Sequence, residues 1–227
     1  MEILFILAIV GLVIGLAILG AYMSAKRRKE LMAWAQSNGL RYTQGKRRGV
    51  DSQFPEFKCL RKGKNRYAYN VMEGEWSERP IMAFDYHYET ESSNSKGRRQ
   101  RHHHRFSAVI LGNYFPLKPL FIRPEGFFDK VTEFLGFDDI DFESAEFSRK
   151  FFVKAGDRRW AFDVIHARTM QFLLDMPKFT IQFDPAQVIA YRSSTFNVSD
   201  FVAAAGVIQG MLDGFPDYLV KQLQEED

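Results

Sequence analysis

The chain of 227 residues carries 31 Lys and Arg against 28 Asp and Glu, with 22 Phe and one cysteine. A single cysteine excludes an intrachain disulfide framework and favours a reducing compartment, while the length beyond the first 25 residues suffices for a sizeable, aromatic-rich core. The formal net charge of +3 conceals a gradient: residues 26–66 hold 13 Lys and Arg against 3 Asp and Glu, whereas residues 125–227 hold 10 against 18, a pattern that acquires meaning beside an anionic surface such as lipid.

The first predicted element is the uncharged run 3–23, rich in Leu, Ile, Val, Gly and Ala. As a helix rising about 1.5 Å per residue it reaches roughly 30 Å, the thickness of a bilayer core. A secretory signal has a basic start, a shorter apolar run and small residues before its cut. Here Glu2 precedes the run, and Leu19 lies three residues before the best cut, after Ala21. Residues 1–25 are therefore read as an uncleaved membrane anchor. Lys26, Arg27, Arg28 and Lys29 follow it directly and no Lys or Arg precedes it; positive charge beside a span is retained in the cytoplasm, so the chain is expected to run N-out with its C-terminal domain inside. Gly11 and Gly15, with Ala17 and Ala21, supply small-xxx-small spacings compatible with a homodimer as well as with a lone span.

Residues 26–39 read as a basic juxtamembrane helix, with Leu31, Trp34 and Ala35 on one face and Asn38-Gly39 as its stop. A second basic group, Lys46, Arg47 and Arg48, follows. Strands are predicted over 56–62, 66–72, 80–90 and 105–113, and Cys59 in the first of these is taken as a small core hydrophobe. Between the last two lies the tract "ESSNSKGRRQRHHH", read as an exposed hairpin loop. Imidazoles are competent metal ligands, but His102, His103 and His104 are consecutive. On an extended segment they point alternately to opposite faces, so a metal site would require His87 or another partner from across the hairpin.

In the distal half, 118–125 reads as a strand and 126–136 as a helix. Over 138–144 Asp139, Asp141 and Glu143 alternate with Ile140 and Phe142, the signature of a solvated sheet face. Strands are predicted over 148–156 and 158–162, a helix over 163–175 carrying His166, strands over 178–184 and 187–194, and a last helix starting near Ser199 and running to about 213. Its packing face is Phe201, Ala205, Ile208, Leu212 and Phe215. Gly206, Gly210 and Gly214 recur on another face, and glycine's cost of about 1 kcal/mol per residue inside a helix argues for close contact there.

Phe84-Asp85-Tyr86, Arg123-Pro124-Glu125, the block "DIDFES…FSRKFFV" and the segment bearing His166, Arg168 and Met170 carry a resemblance to an uncharacterised group of bacterial single-pass membrane proteins. The resemblance implies a bacterial source, hence the inner membrane, and an architecture; it brings no activity, cofactor or catalytic residue. The expected fold is α+β: an N-terminal transmembrane helix, then a mainly antiparallel domain over 40–227 with three or four helices, and a subdomain boundary near 115–125 as one option. The function read from these features is a membrane-anchored binding or scaffolding module. Lys26, Arg27, Arg28, Lys29, Lys46, Arg47 and Arg48 would face anionic lipid headgroups, and the acidic side a protein partner. The rival reading is a membrane-associated enzyme gathering His166, Asp85 or the acids at 139–143 into one pocket. No cofactor or metal is assigned, and nucleic acid is not an expected partner because the basic tract lacks interleaved aromatics.

Overall fold

The computed structural model describes residues 2–93, 99–126 and 138–225. Helix α1, Glu2–Ser37, is unbroken, so the apolar run and the basic helix after it form one rod. Its apolar window is fully exposed, and it is long and apolar enough to cross a membrane. At the far end the same helix becomes a core element, with Leu31 and Ala35 wholly buried. It stops where the sequence predicts. Asn38 Nδ2 donates to the Trp34 carbonyl at 2.8 Å, and Gly39, at φ +69°, turns the chain so that Leu40 N donates to Ala35 O at 2.8 Å.

The remaining chain folds on one antiparallel sheet with nine strands among the described residues, ordered β1-β2-β3-β4-β9-β8-β5-β7-β6. The strands are β1 Arg41–Thr43, β2 Lys64–Trp76, β3 Arg79–Ser93, β4 Arg99–Gly112, β5 Leu120–Pro124, β6 Asp138–Asp139, β7 Phe151–Ala155, β8 Thr180–Asp184 and β9 Gln187–Arg192. The segment near 115–125 enters β5 of this same sheet. Period-2 alternation divides the sheet into two faces. Ile81 and Ala83 of β3, Val109 and Leu111 of β4, and Ile181 and Phe183 of β8 point to the side covered by α1 and by the helices α3 Ala145–Lys150, α4 Arg158–Val164, α5 Ala167–Asp175, α6 Val198–Asp213 and α7 Asp217–Glu225. Phe84 and Tyr86 of β3, with Phe106 and Ala108 of β4, point to the opposite side. There they are covered by the short helix α2, Val50–Gln53, and a 3-10 turn, Lys58–Arg61. The architecture is α+β, with an apolar N-terminal helix and an antiparallel sheet as expected.

Four local expectations are corrected. The segment 56–62 holds the 3-10 turn Lys58–Arg61 rather than a strand: Phe57 and Leu60, three apart, are both fully buried, and the buried Tyr86 hydroxyl donates to Leu60 O at 2.6 Å. The residues 158–162 belong to α4, because Asp157 caps it by accepting from Trp160 N at 3.1 Å, and Trp160, Ala161 and Val164 share its buried face. Ser148–Lys150 likewise close α3, capped by Ser144. The supposed hairpin loop is mostly strand: Arg99–His104 pair in register with Tyr88–Ser93. The last helix begins within two residues of its expected start, with Asn197 and Asp200 forming a capping box, and α7 follows it, burying Leu219 and Leu223 at i, i+4 spacing. The helix expected over 126–136 falls outside the described residues from 127 onward.

The glycine expectation holds at one position. A Cβ on Gly210 would meet the Phe172 ring of α5 at 2.4 Å, whereas one on Gly206 would meet nothing within 4 Å. The alternation over 138–144 is also present, with Ile140 and Phe142 buried and Asp139, Asp141 and Glu143 exposed.

Candidate functional site

Along the helix-covered face of β3, Ile81 and Ala83 give way to Asp85, His87 and Glu89. Asp85 is completely buried, and a carboxylate in that position demands compensation. Arg27, four residues beyond the apolar run, supplies it. Its Nη1 donates to Asp85 Oδ2 and its Nη2 to Oδ1, each at 2.8 Å, the planar bidentate geometry that makes Arg the preferred partner of a buried carboxylate. Asn70 Nδ2 donates to Oδ2 at 2.8 Å, and the Ser107 hydroxyl donates to Oδ1, so that four donors meet the carboxylate. Asn70 reaches this position from a bulge in β2 between Tyr69 and Met72, where its own φ is +49°. Arg27 Nε donates to the Phe196 carbonyl at 2.7 Å, and Phe196 N donates to Ser107 Oγ at 2.9 Å. Burial lowers the affinity of the Arg27 guanidinium for its proton, but the Asp85 carboxylate more than offsets this and holds the group above its ordinary range.

Beside this network opens a cavity of about 740 Å³. Helix α1 contributes Ser24, Arg27 and Arg28, and the loop after β1 contributes Gln44, Gly45 and Lys46. The alternating side chains Tyr67 and Tyr69 of β2 form a wall, Arg105 of β4 enters from the next strand but one, and Ser194 and Thr195 close the remaining side. Lys46 Nζ stands 4.6 Å over the Tyr67 ring. Burial, then the nearby Asp85, pushes the Tyr69 hydroxyl up to about 12, so it remains a neutral phenol able to donate a hydrogen bond at neutral pH. Among the described residues Arg28, Lys46 and Arg105 form no ion pair with a carboxylate. Three uncompensated cations, hydroxyls and a phenol around one concavity suit an anionic, oxygen-rich ligand.

Of the seven basic residues singled out in the sequence, Arg27, Arg28 and Lys46 line this cavity, and Arg27 is already paired. Lys26 lies 4.0 Å from Glu30, Lys29 is exposed, and Arg48 approaches Asn65 Oδ1 at 3.4 Å. Arg47 pairs with Glu73, which also accepts from Arg41 at 2.9 Å, and Arg47 donates to Gln53 at 3.0 Å. These pairs fix the ends of the loop that presents Lys46. Sequence reasoning missed Arg105, Tyr67 and Tyr69. The signal available for Arg105 was the strand alternation of 105–113, which continues backward through the histidines.

The residues of the rival enzyme reading do not gather. His166 precedes α5, with Nε2 3.0 Å from the Gly214 carbonyl and 3.3 Å from the Thr169 hydroxyl. Asp85 is enclosed by its four donors, and the exposed Asp139 pairs with Lys154 at 3.1 Å.

No protein-family model and no curated protein matches the chain. Among solved structures, it is similar to the crystal structure of the mycobacterial trehalose monomycolate transport factor A, TtfA, with a TM-score of 0.62 at 12% identity, over 84% of this chain and 96% of that one. The likeness is one of fold.

Proposed function

We propose that this chain is a bacterial inner-membrane accessory module, spanning the bilayer once through α1 with its sheet domain in the cytoplasm, and that it holds an anionic lipid headgroup in the cavity at the foot of the span. The observation that carries this reading is the convergence of Arg28, Lys46 and Arg105, without acidic partners, on a cavity whose rim includes Ser24, the first residue after the apolar run. In a bilayer Ser24 lies at headgroup depth, where each cation gains about 1 kcal/mol from an anionic surface. The four consecutive cations after the span favour a cytoplasmic domain. The fold shared with a transport factor fits an accessory role in handling lipid or lipid-linked cargo.

The test is native mass spectrometry of the full-length chain released from detergent, with phosphatidylglycerol and phosphatidylcholine in competition. One phosphatidylglycerol should be retained preferentially, and the R28A/K46A/R105A variant should lose that preference. Equal retention of the two lipids by the unaltered chain defeats the reading. A C-terminal topology reporter active outside the cytoplasm would defeat the orientation.

A further inference from the structure

Beyond the lipid reading, and independent of it, the geometry points to a divalent transition-metal site formed by His87 and Glu89 of β3 and His103 of β4, with Zn²⁺ as the best-matched ion. The three residues share one sheet face, because Glu89 and His103 are register partners and His87 lies two residues before Glu89 on the same strand. Each offers one ligand atom, and these atoms all lie within 4.8 Å of one another. His87 Nε2 is 3.2 Å from His103 Nδ1, which is 3.4 Å from Glu89 Oε1. Two ligands at ~2.0–2.1 Å from a tetrahedral Zn²⁺ stand roughly 3.4 Å apart, so both separations are close to those of a site of this kind.

The surroundings orient the ligands as a metal site requires. His87 Nδ1 lies 3.1 Å from the Asn65 carbonyl. A carbonyl only accepts, so the ring proton sits on Nδ1 and the Nε2 lone pair is turned toward the site. Asn65 Nδ2 also donates to Glu89 Oε1 at 2.7 Å, fixing the carboxylate. One residue thus orients two ligands, the outer-shell arrangement found behind metal-bound histidine and carboxylate. His87 is further held by stacking on Tyr67, with ring centroids 4.5 Å apart. Arg101 Nε lies 3.4 Å from the other carboxylate oxygen, Oε2, leaving Oε1 to face the histidines.

His87 and Glu89 are buried, whereas the His103 side chain is 56% exposed. The site is therefore rigid on one side and open on the other, with room for a water molecule as fourth ligand. Two nitrogens and one oxygen suit Zn²⁺ and its spectroscopic substitute Co²⁺ rather than Mg²⁺ or Ca²⁺, which take oxygen ligands. The neighbouring histidines are turned away: His102 and His104 lie on the opposite face, 2.8 Å from Ser92 Oγ and Thr90 Oγ1 respectively, and His104 stacks on Tyr88.

The experiment uses the full-length chain in detergent, free of any histidine tag. Co²⁺ is titrated first, followed by its displacement with Zn²⁺. One ion per chain is expected, with the intense visible bands of tetrahedral Co²⁺. The exposed His103 can be removed without disturbing the core, and H103A should weaken binding beyond the ~10–100-fold typical of losing an outer-shell partner. N65A should fall within that range. The H102A/H104A variant should bind as the unaltered chain does. Absence of stoichiometric binding, unchanged affinity in H103A, or equal losses in H103A and H102A/H104A would each overturn the assignment.

Discussion

The Arg27 guanidinium, four residues beyond the apolar run of α1, and the Asp85 carboxylate in the third strand form a bidentate ion pair with both contacts at 2.8 Å, its acidic member wholly buried. Removing one partner strands the other's charge, which typically costs about 3–5 kcal/mol. R27M is expected to fall in that range by chemical denaturation in detergent. R27M/D85N, which removes both charges, should be less destabilised than R27M alone. A double variant as unstable as the sum of its parts would show that the two residues act separately.

Gly210 and Gly206 lie one turn apart on α6 in different surroundings. Replacing an interior glycine by alanine ordinarily favours a helix by about 1 kcal/mol. G206A, whose new methyl meets nothing, should show that gain in its denaturation midpoint. G210A drives the methyl into Phe172, and overpacking of this kind costs about 1–3 kcal/mol. G210A should therefore be destabilised relative to G206A, and the difference should disappear in an F172A background.

Glu73 is pulled in two directions. Burial raises its pKa, but hydrogen bonds from Arg41 and Arg47 outweigh burial and hold it below its ordinary value of 4.5. A carboxylate lowered on folding contributes stability that is fully present above its unfolded value and is lost as pH falls through the folded one. The chain is expected to lose stability on acidification below about pH 4.5, and E73Q should show a smaller loss over the same interval. Denaturation midpoints at pH 7 and pH 4 measure both.

Asp184 has the opposite sign. Burial, opposed by the hydrogen bond from Ala186 N and aided by Glu56, raises its pKa above 3.8. A raised carboxyl favours folding while protonated, and that contribution is lost as pH rises through its folded value. D184N keeps an acceptor for Ala186 N and removes the charge, so it should be more stable than the unaltered chain at pH 7 and show little advantage at pH 3.

These sites differ in how far the sequence reveals them. The long apolar helix, the α+β class and the packing face of α6 are written in local composition and periodicity, which need only neighbouring residues. Arg27 is different: next to Lys26, Arg28 and Lys29 it reads as one more surface cation, and its partner lies 58 residues away. The segment 56–62 fits a strand or a 3-10 turn equally, since Phe57 and Cys59 alternate while Phe57 and Leu60 are three apart; the Tyr86 hydroxyl decides the matter from another strand. His103 likewise becomes distinct from His102 and His104 only once the register sets it opposite Glu89. Arg105 opens a predicted strand, and nothing local marks it as a cavity residue until the sheet sets it beside Tyr67 and Tyr69 of β2.

The unbroken helix from Glu2 to Ser37, joined at Arg27 to the middle of the sheet, has a mechanical consequence. At about 1.5 Å per residue it is a rod of roughly 54 Å without a hinge. A flexible linker would let a domain swivel and sample a hemisphere below the membrane. A mast stepped into the sheet fixes the domain's distance from the apolar segment, and any tilt of the helix becomes an equal tilt of the sheet. The cavity mouth and the His87–Glu89–His103 cluster then keep a constant attitude toward the axis of α1, so that in the membrane arrangement proposed above a change in helix tilt reorients both sites directly.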